Sequence, residues 1–480
     1  MNHSISTGCI PSTWKTAQVT PLFKNGSRED TSNYRPISVL PVLSKILERH
    51  VATSLCNHLH NYDLLYNLQS AFRPNHSTET ALIKLTDELL FDMDNDRVTG
   101  LAFVDFRKAF DVINHELLLK KLSIYGANDL SLKWFGSYLT GRKQYVRING
   151  CCSTSKELLQ GVPQGSILGP ILFLLFVNDM PLSIRDSTLD VYADDTTLSK
   201  TSSWENVSYL TQSLNQDLKR LDEWSERNKM FINSQKTKSM LVIGKRLRNR
   251  VASTSLGVNL NGNSIEQVND FKLLGVTLDQ DLSFNRQIEE LCKKLSKRIG
   301  LLRHISPYLK CNQRNVYYST IIKPVMLYGS TIWTSCSKEN LLKVLRLQKR
   351  AARTILDAER TAPSVGLFNT LKWVPFYAES YLNRCAVIYK RLNGNTPAYI
   401  NDLLIRNSDT HNRTTRFCNL NLRCPRYKRS SEGGRTFAVR ATKEWNKLSV
   451  DLKQSSSVNN FKLSLFRIIL NNQNLSKLFM

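Results

Sequence analysis

Over the first 90 residues, short apolar and amphipathic pieces alternate with loops punctuated by Pro11, Pro21, Pro36, Pro41 and Pro74. Proline fixes φ and removes a donor, so each one marks a turn or the end of an element. Pro41 to Leu59 carries helical spacing, and the whole stretch predicts a small α/β lobe. Leu101 to Phe106 is a short apolar strand with Asp105 near its end, and Ile113 to Tyr125 reads as a helix. Pro170 to Phe176 is apolar throughout and follows the loop Gly165 to Gly169, which favours a buried helix. Leu189 to Ala193 and Thr196 to Leu198 flank Asp194-Asp195, so the acidic pair is expected to cap a β-hairpin. Ser203 to Met230 reads as a helix with Trp224 on its apolar face, and Met240 to Ile243 as a strand. The order strand, helix, helix, hairpin, helix, strand predicts an α+β sheet with helices on one side.

A polar, basic, glycine-containing connector, Lys245 to Gly262, reads as a break. Phe271 to Leu278 then predicts a strand pair ending in the turn Asp279-Gln280-Asp281, and Arg286 to Leu356 is mostly helical. Within Leu341 to Leu356, Arg346, Lys349, Arg350 and Arg353 share one helical face, while Leu342, Leu345, Ala352 and Ile355 line another. The chain stays basic beyond Thr361, most densely from Arg413 to Arg440, and shows no internal repeat.

Composition narrows the class. With 480 residues, 41% of them hydrophobic and 9% aromatic, the chain is a folded protein of about two to four domains rather than a disordered one. The longest apolar run, Ile171 to Val177, has seven residues, far below the roughly 20 of a membrane-spanning helix, so no membrane partner is expected. Met1 to Lys15 lacks a signal-peptide pattern, and of ten cysteines only Cys151 and Cys152 are adjacent, which fits a reducing, intracellular compartment. No C-x-x-C or Cys/His cluster at zinc spacing occurs, so a catalytic metal should be held by oxygen. The net charge of +26 is uneven: residues 1–284 carry 31 Lys+Arg against 29 Asp+Glu, and residues 285–480 carry 35 against 11. An excess of +24 on one side of the chain points to a polyanionic partner.

The residues with the strongest chemistry are Asp105, Asp194 and Asp195. If adjacent strands bring them together, three carboxylates repel unless hard divalent cations lie between them. Two such ions are the arrangement that serves an in-line phosphoryl transfer. Turn capping is the competing explanation for an Asp pair in a turn.

The neighbouring residues weight the choice. Asn33-Tyr34-Arg35-Pro36-Ile37-Ser38, Gln69-Ser70-Ala71-Phe72-Arg73-Pro74 with Ser77-Thr78, Phe103 to Asp111 (FVDFRKAFD), Gly161-Val162-Pro163-Gln164-Gly165-Ser166, Tyr192-Ala193-Asp194-Asp195, Asn233 with Lys236-Thr237, and Leu273-Leu274-Gly275-Val276 follow one another in that order. In these motifs, over about residues 10 to 360, the chain resembles the reverse transcriptases of non-LTR retrotransposons of the jockey and chicken-repeat kind. The resemblance implies an α+β, right-handed fingers, palm and thumb polymerase copying an RNA template into DNA. It divides the chain into fingers (1–90), palm (91–284, with a fingers insertion at about 112–155 and a primer-grip region at about 265–283), a helical thumb (285–360) and a basic C-terminal region (361–480).

It also implies roles. Asp105 and Asp194 become ligands of two Mg2+ ions, with Mn2+ as a substitute and Asp195 as the third, supporting carboxylate. Phe110 lies beneath the incoming sugar and excludes a 2′-hydroxyl. Gln164 touches the nucleotide or template; Lys24, Arg35 and Arg73 grip the triphosphate; Lys236 protonates the pyrophosphate leaving group. Arg346, Lys349, Arg350 and Arg353 face the template–primer. The implied partners are RNA template, DNA primer and deoxynucleoside triphosphates, and the implied setting is the nucleus after cytoplasmic synthesis. Asn75 and His76 stand where the family usually has glycine. No nuclease constellation of His, Asp and Glu is present, so the chain is expected to extend a supplied primer and to depend on a separate endonuclease for the nick. A catalytically silent nucleic-acid-binding remnant and an intron-maturase-like RNA-binding protein are the alternatives.

Overall fold

Every residue from Val98 to Val104 is buried, the odd and the even positions of the strand alike. Side chains alternate across a strand, so neither face of the sheet built on it can be left to water. That property organises the molecule. A computed structural model of the chain describes residues 1–24, 26–251, 255–409 and 420–471. Its strands are, in chain order, β1 (Thr16–Phe23), β2 (Tyr34–Val39), β3 (Arg97–Val104), β4 (Arg142–Ile148), β5 (Cys151–Cys152), β6 (Lys156–Leu158), β7 (Thr188–Tyr192), β8 (Asp195–Ser203), β9 (Lys238–Val242), β10 (Asn259–Leu260), β11 (Asn263–Ser264), β12 (Asp270–Leu273) and β13 (Val276–Asp279).

The central sheet has the order β7-β8-β3-β9, antiparallel throughout. Leu101 and Phe103 enter one apolar core with Met240 and Val242, and the helix Thr78–Asp94 covers that face through Leu82, Leu85 and Leu89. Val98, Ala102 and Val104 enter a second core with the helices Leu168–Val177 and Val207–Arg227. The expectation of helices on one side is therefore wrong: a strand apolar on both faces takes helices on both. Gly100 marks the closest approach, since a Cβ there would lie 2.4 Å from Leu210 Cδ2.

A second sheet, β2-β1-β4-β5 with β6 on β4, joins the first 40 residues to residues 142–158 through the parallel pair β1–β4. It is tied to the central unit at one loop. The Ser38 amide donates to the Gln164 carbonyl at 2.7 Å. Gly165, at φ 123°, lies so near that a Cβ would sit 2.4 Å from Ser38 O. The buried Glu48 carboxylate, on the helix Val42–Asn61, accepts from Ile167 N at 2.7 Å, placing negative charge at the start of the buried helix Leu168–Val177.

The predicted hairpins and helices occur with shifted ends. The connector Lys245–Gly262 is not a break, however. Leu247, Leu256, Val258 and Leu260 are buried against the helix Val207–Arg227, and the β10–β11 hairpin closes there. Among the described residues no helix is long and apolar enough to cross a membrane.

The described residues beyond 361 are not a separate basic tail. The helices Asn285–Ile305, Lys338–Leu356, Phe376–Leu392, Phe437–Asn446 and Val458–Asn471 share one apolar core with the helix Thr78–Asp94. Much of the basic charge there is turned inward. Arg384 forms a bidentate pair with Glu444 at 2.8 and 2.6 Å. Arg429 pairs with Glu432 and Asp96, and Arg435 donates to Ser335 O and Leu282 O. Of the dense stretch Arg413–Arg440, Arg413 and Arg416 lie outside the described residues, while Arg426 and Lys428 are exposed.

Asp87 joins the two halves of this core. Its carboxylate accepts from Phe437 N at 2.5 Å and Ala438 N at 2.7 Å, the first amides of the helix Phe437–Asn446. Asp87→Ala leaves both donors buried without a partner, so the unfolding free energy should fall by about 1–3 kcal/mol in urea denaturation. An unchanged midpoint would show that Asp87 does not join them.

Candidate active site

The pairing of β3 with β8 runs from Arg97↔Ser203 to Val104↔Thr196. The next residue of the first strand is Asp105, and the residue before Thr196 is Asp195, so the register alone brings carboxylates from distant segments side by side. The β7–β8 hairpin closes on Tyr192↔Asp195, leaving Ala193 and Asp194 as its two-residue turn. Ala193 has φ 57°, left-handed backbone that costs a residue with a Cβ about 1–2 kcal/mol. Its amide donates to Gln69 Oε1 at 3.1 Å. Gln69 is itself buried and lies on the open edge of β7, where Val191 N donates to Leu68 O at 3.1 Å and Ser70 N to Val191 O at 2.9 Å.

Asp105 is held from the other side. Its amide donates to Thr237 Oγ1 at 3.3 Å, its carbonyl accepts from Asn233 N at 2.7 Å, and its carboxylate is hydrogen-bonded to the Asn233 side chain. Burial raises the Asp105 pKa, Lys236 draws it back, and Asp194 adds to the rise. The Asp195 carboxyl is pushed up to about 6 by burial and then by Asp194 and Asp105. The three groups thus share one field and repel one another. Among the described residues no group of three or more His, Cys, Asp or Glu side chains is placed to hold a metal ion by itself. The set is an open, all-oxygen one, which suits a hard divalent cation that takes its other ligands from phosphate and water.

A cleft of about 1760 Å³ opens over these carboxylates, and it gathers Asp105, Asp194, Asp195, Phe110, Gln164, Lys24, Arg35 and Lys236 on its walls. Phe110 is half-buried, its ring stacked on Phe173 at 4.3 Å and its carbonyl accepting from Val162 N at 3.0 Å. The Gln164 amide donates to Asp111 Oδ1 at 2.8 Å, which fixes its orientation. Gly161, at φ 81°, lets the chain pass Asp111, whose carbonyl oxygen would be 2.6 Å from a Cβ. Lys24 and Arg35 are exposed on the cleft lining, and Lys24 adds to the pull that lowers the Asp105 pKa.

Arg73 is not in the cleft. Its guanidinium donates to Tyr66 O at 2.7 Å and Gln69 O at 3.2 Å, and burial lowers its pKa. Phe72, at φ 53°, turns the chain so that its own ring faces the cleft and the arginine faces inward. Arg353 is also spent internally, donating to Ala362 O at 3.0 Å, whereas Arg346 and Arg350 remain exposed on the same helix and Lys349 partly so. Sequence reasoning missed Arg28, Arg107 and Arg147, all on the cleft wall, and the supporting Gln69. Arg107 sits inside a motif segment and was findable there, whereas Arg28 and Arg147 lie outside the motifs; nothing in the sequence marks Gln69 as the acceptor for Ala193.

Residues 23–278 match the reverse transcriptase (RNA-dependent DNA polymerase) family. The RNA-directed DNA polymerase from mobile element jockey of Drosophila melanogaster is 30% identical over 404 residues, which is 82% of this chain and 43% of that protein. The probable RNA-directed DNA polymerase from transposon BS, of the same organism, is 31% identical over 365 residues, 72% of this chain and 39% of that one. The chain spans about two fifths of the length of these curated relatives. Among solved structures, the telomerase from Candida Tropicalis in complex with the TWJ fragment of telomeric RNA aligns at 13% identity and a TM-score of 0.42, covering 82% of this chain and 61% of that one.

The electrostatics of the site set a pH dependence. Folded, Asp195 holds its proton to about pH 6, against an ordinary value of 3.8. Between these values the folded state binds more protons than the unfolded one, so stability falls as pH rises through about 4 to 6. In EDTA, Asp195→Asn should therefore melt higher than the parent at pH 7.5 and level with it at pH 4. A Tm difference independent of pH would mean that Asp195 does not feel its neighbours.

Proposed function

The chain belongs to the reverse transcriptase (RNA-dependent DNA polymerase) family, and from that membership we propose that it copies RNA into DNA by extending a primer 3′-hydroxyl in the cleft beside Asp105, Asp194 and Asp195. The observation that carries the proposal is the gathering, in one cleft, of repelling carboxylates on adjacent strand ends and exposed cations on and beside the second sheet. Divalent cations, which this family uses, would be held by Asp105 and Asp194, Mg2+ first and Mn2+ as a substitute, and would stabilise charge on the attacking and leaving oxygens of the displacement.

The chain's own residues do the rest. Lys24 and Arg35, joined by Arg28, bind the triphosphate from the cleft lining. Gln164, oriented by Asp111, meets the base or template strand. Phe110, backed by Phe173, forms the floor beneath the sugar. Lys236 stands close enough to act on the Asp105 carboxylate and supplies a proton to the departing pyrophosphate. Asp195 supports the pair, and its repulsion is relieved when positive charge enters the site.

In this reading residues 1–90 act as fingers together with the insertion at about 112–155, residues 91–284 as palm with a primer-grip region at about 265–283, and residues 285–360 as thumb. Arg346, Lys349 and Arg350 face the template–primer duplex. RNA template, DNA primer and deoxynucleoside triphosphates are the partners.

The test is primer extension on a primed RNA template with Mg2+ and deoxynucleotides. Asp194→Asn should lose extension by at least about 10³-fold while RNA binding stays at the parental level; extension at the parental rate would remove Asp194 from the metal site. Phe110→Val should raise ribonucleotide incorporation relative to deoxynucleotide, because the floor recedes from the 2′ position. Unchanged discrimination would return Phe110 to a packing role.

A further inference from the structure

The catalytic turn is braced from a part of the chain that lies outside the matched family segment. Tyr399 begins the second position of the helix Ala398–Leu403, more than a hundred residues beyond position 278. Its ring is buried and lies at 77° to the His76 ring, with the centroids 5.8 Å apart. Its hydroxyl shares hydrogen bonds with Ser70 Oγ at 2.9 Å and Thr80 Oγ1 at 3.1 Å. Thr80 is the third residue of the helix Thr78–Asp94 and completes its capping box with Ser77. One phenol therefore fastens both ends of the loop that runs from the β7 edge into that helix.

What this loop holds is the turn. Ser70 N donates to Val191 O, and the adjacent Gln69 accepts from Ala193 N, the residue in left-handed backbone immediately before Asp194. The same loop presents Phe72 to the cleft. We propose that Tyr399 is a positioning residue for the catalytic turn, acting through Ser70 and Gln69 on Ala193 and so on the placement of Asp194. Phenylalanine would fill the same volume, so the ring packs without the hydroxyl; what the hydroxyl adds is order at Ser70 and Thr80. The C-terminal region is thereby part of the active-site scaffold, in addition to any contact it makes with nucleic acid.

The inference rests on the polymerase reading for its catalytic consequence and on the hydrogen bonds alone for its structural one, and the experiment separates the two. In the full chain, amide hydrogen exchange across residues 191–196 should rise about fivefold in Tyr399→Phe. On primed RNA, kcat should fall about fivefold with the deoxynucleotide KM within twofold of the parent. Ser70→Ala should reproduce both effects, which also serves if Tyr399→Phe fails to fold, and the double variant should be no worse than either single one. Unchanged exchange at the turn, or losses that multiply in the double variant, would overturn the brace. A parent chain that extends no primer would defeat the functional reading, while the exchange measurement still decides whether Tyr399 orders the turn.

Discussion

The register between β3 and β8 is the constraint on which the site depends. Both faces of β3 are buried, so a slip of one residue would exchange its two sets of side chains between two different cores. With the register locked from Arg97↔Ser203 to Val104↔Thr196, Asp105 and the 193–195 turn have one relative position available to them. The carboxylates do not hold themselves together; they repel, and the apolar packing beneath the strands holds them against that repulsion. Local stability is given up at this point to keep the charges side by side.

The same logic explains the loop 66–77. A hairpin turn with alanine in left-handed backbone needs an external partner for its amide, and Gln69 supplies one from the exposed edge of β7. The edge strand is thereby covered as well, which removes an open row of donors and acceptors. Arg73, drawn inward onto the carbonyls of Tyr66 and Gln69, shapes the loop that carries this partner.

The basic C-terminal region follows a different rule from the one its composition suggests. Arg384, Arg429 and Arg435 are matched by Glu444, Asp96, Glu432 and backbone carbonyls, Arg384 on a core helix and the other two in the segment that leads into the helix Phe437–Asn446. A buried guanidinium needs its partners. Some of the arginines counted along the chain are consequently structural, while others, among them Arg346, Arg350, Arg426 and Lys428, remain exposed.

Local order was legible in the amino acids themselves. The buried helix Leu168–Val177, the hairpin around Asp194-Asp195, the β12–β13 pair and the helices Val42–Asn61, Val207–Arg227 and Lys338–Leu356 follow from periodicity and turn residues, since these report which side of a short segment meets water. The acidic residues, Arg35 and Lys236 were identifiable from their motifs and Lys24 from the family resemblance, and the tertiary structure brings them to one cleft. It also decided what no window of sequence contains: that β3 is covered on both faces, that Arg73 and Arg353 turn inward, that Lys245–Gly262 packs instead of linking, and that Gln69 and Tyr399 support the turn. Each of these depends on a partner far away in the chain, and a polar side chain's partner is selected by the fold that buries it, which neither its own identity nor its neighbours' spacing encodes.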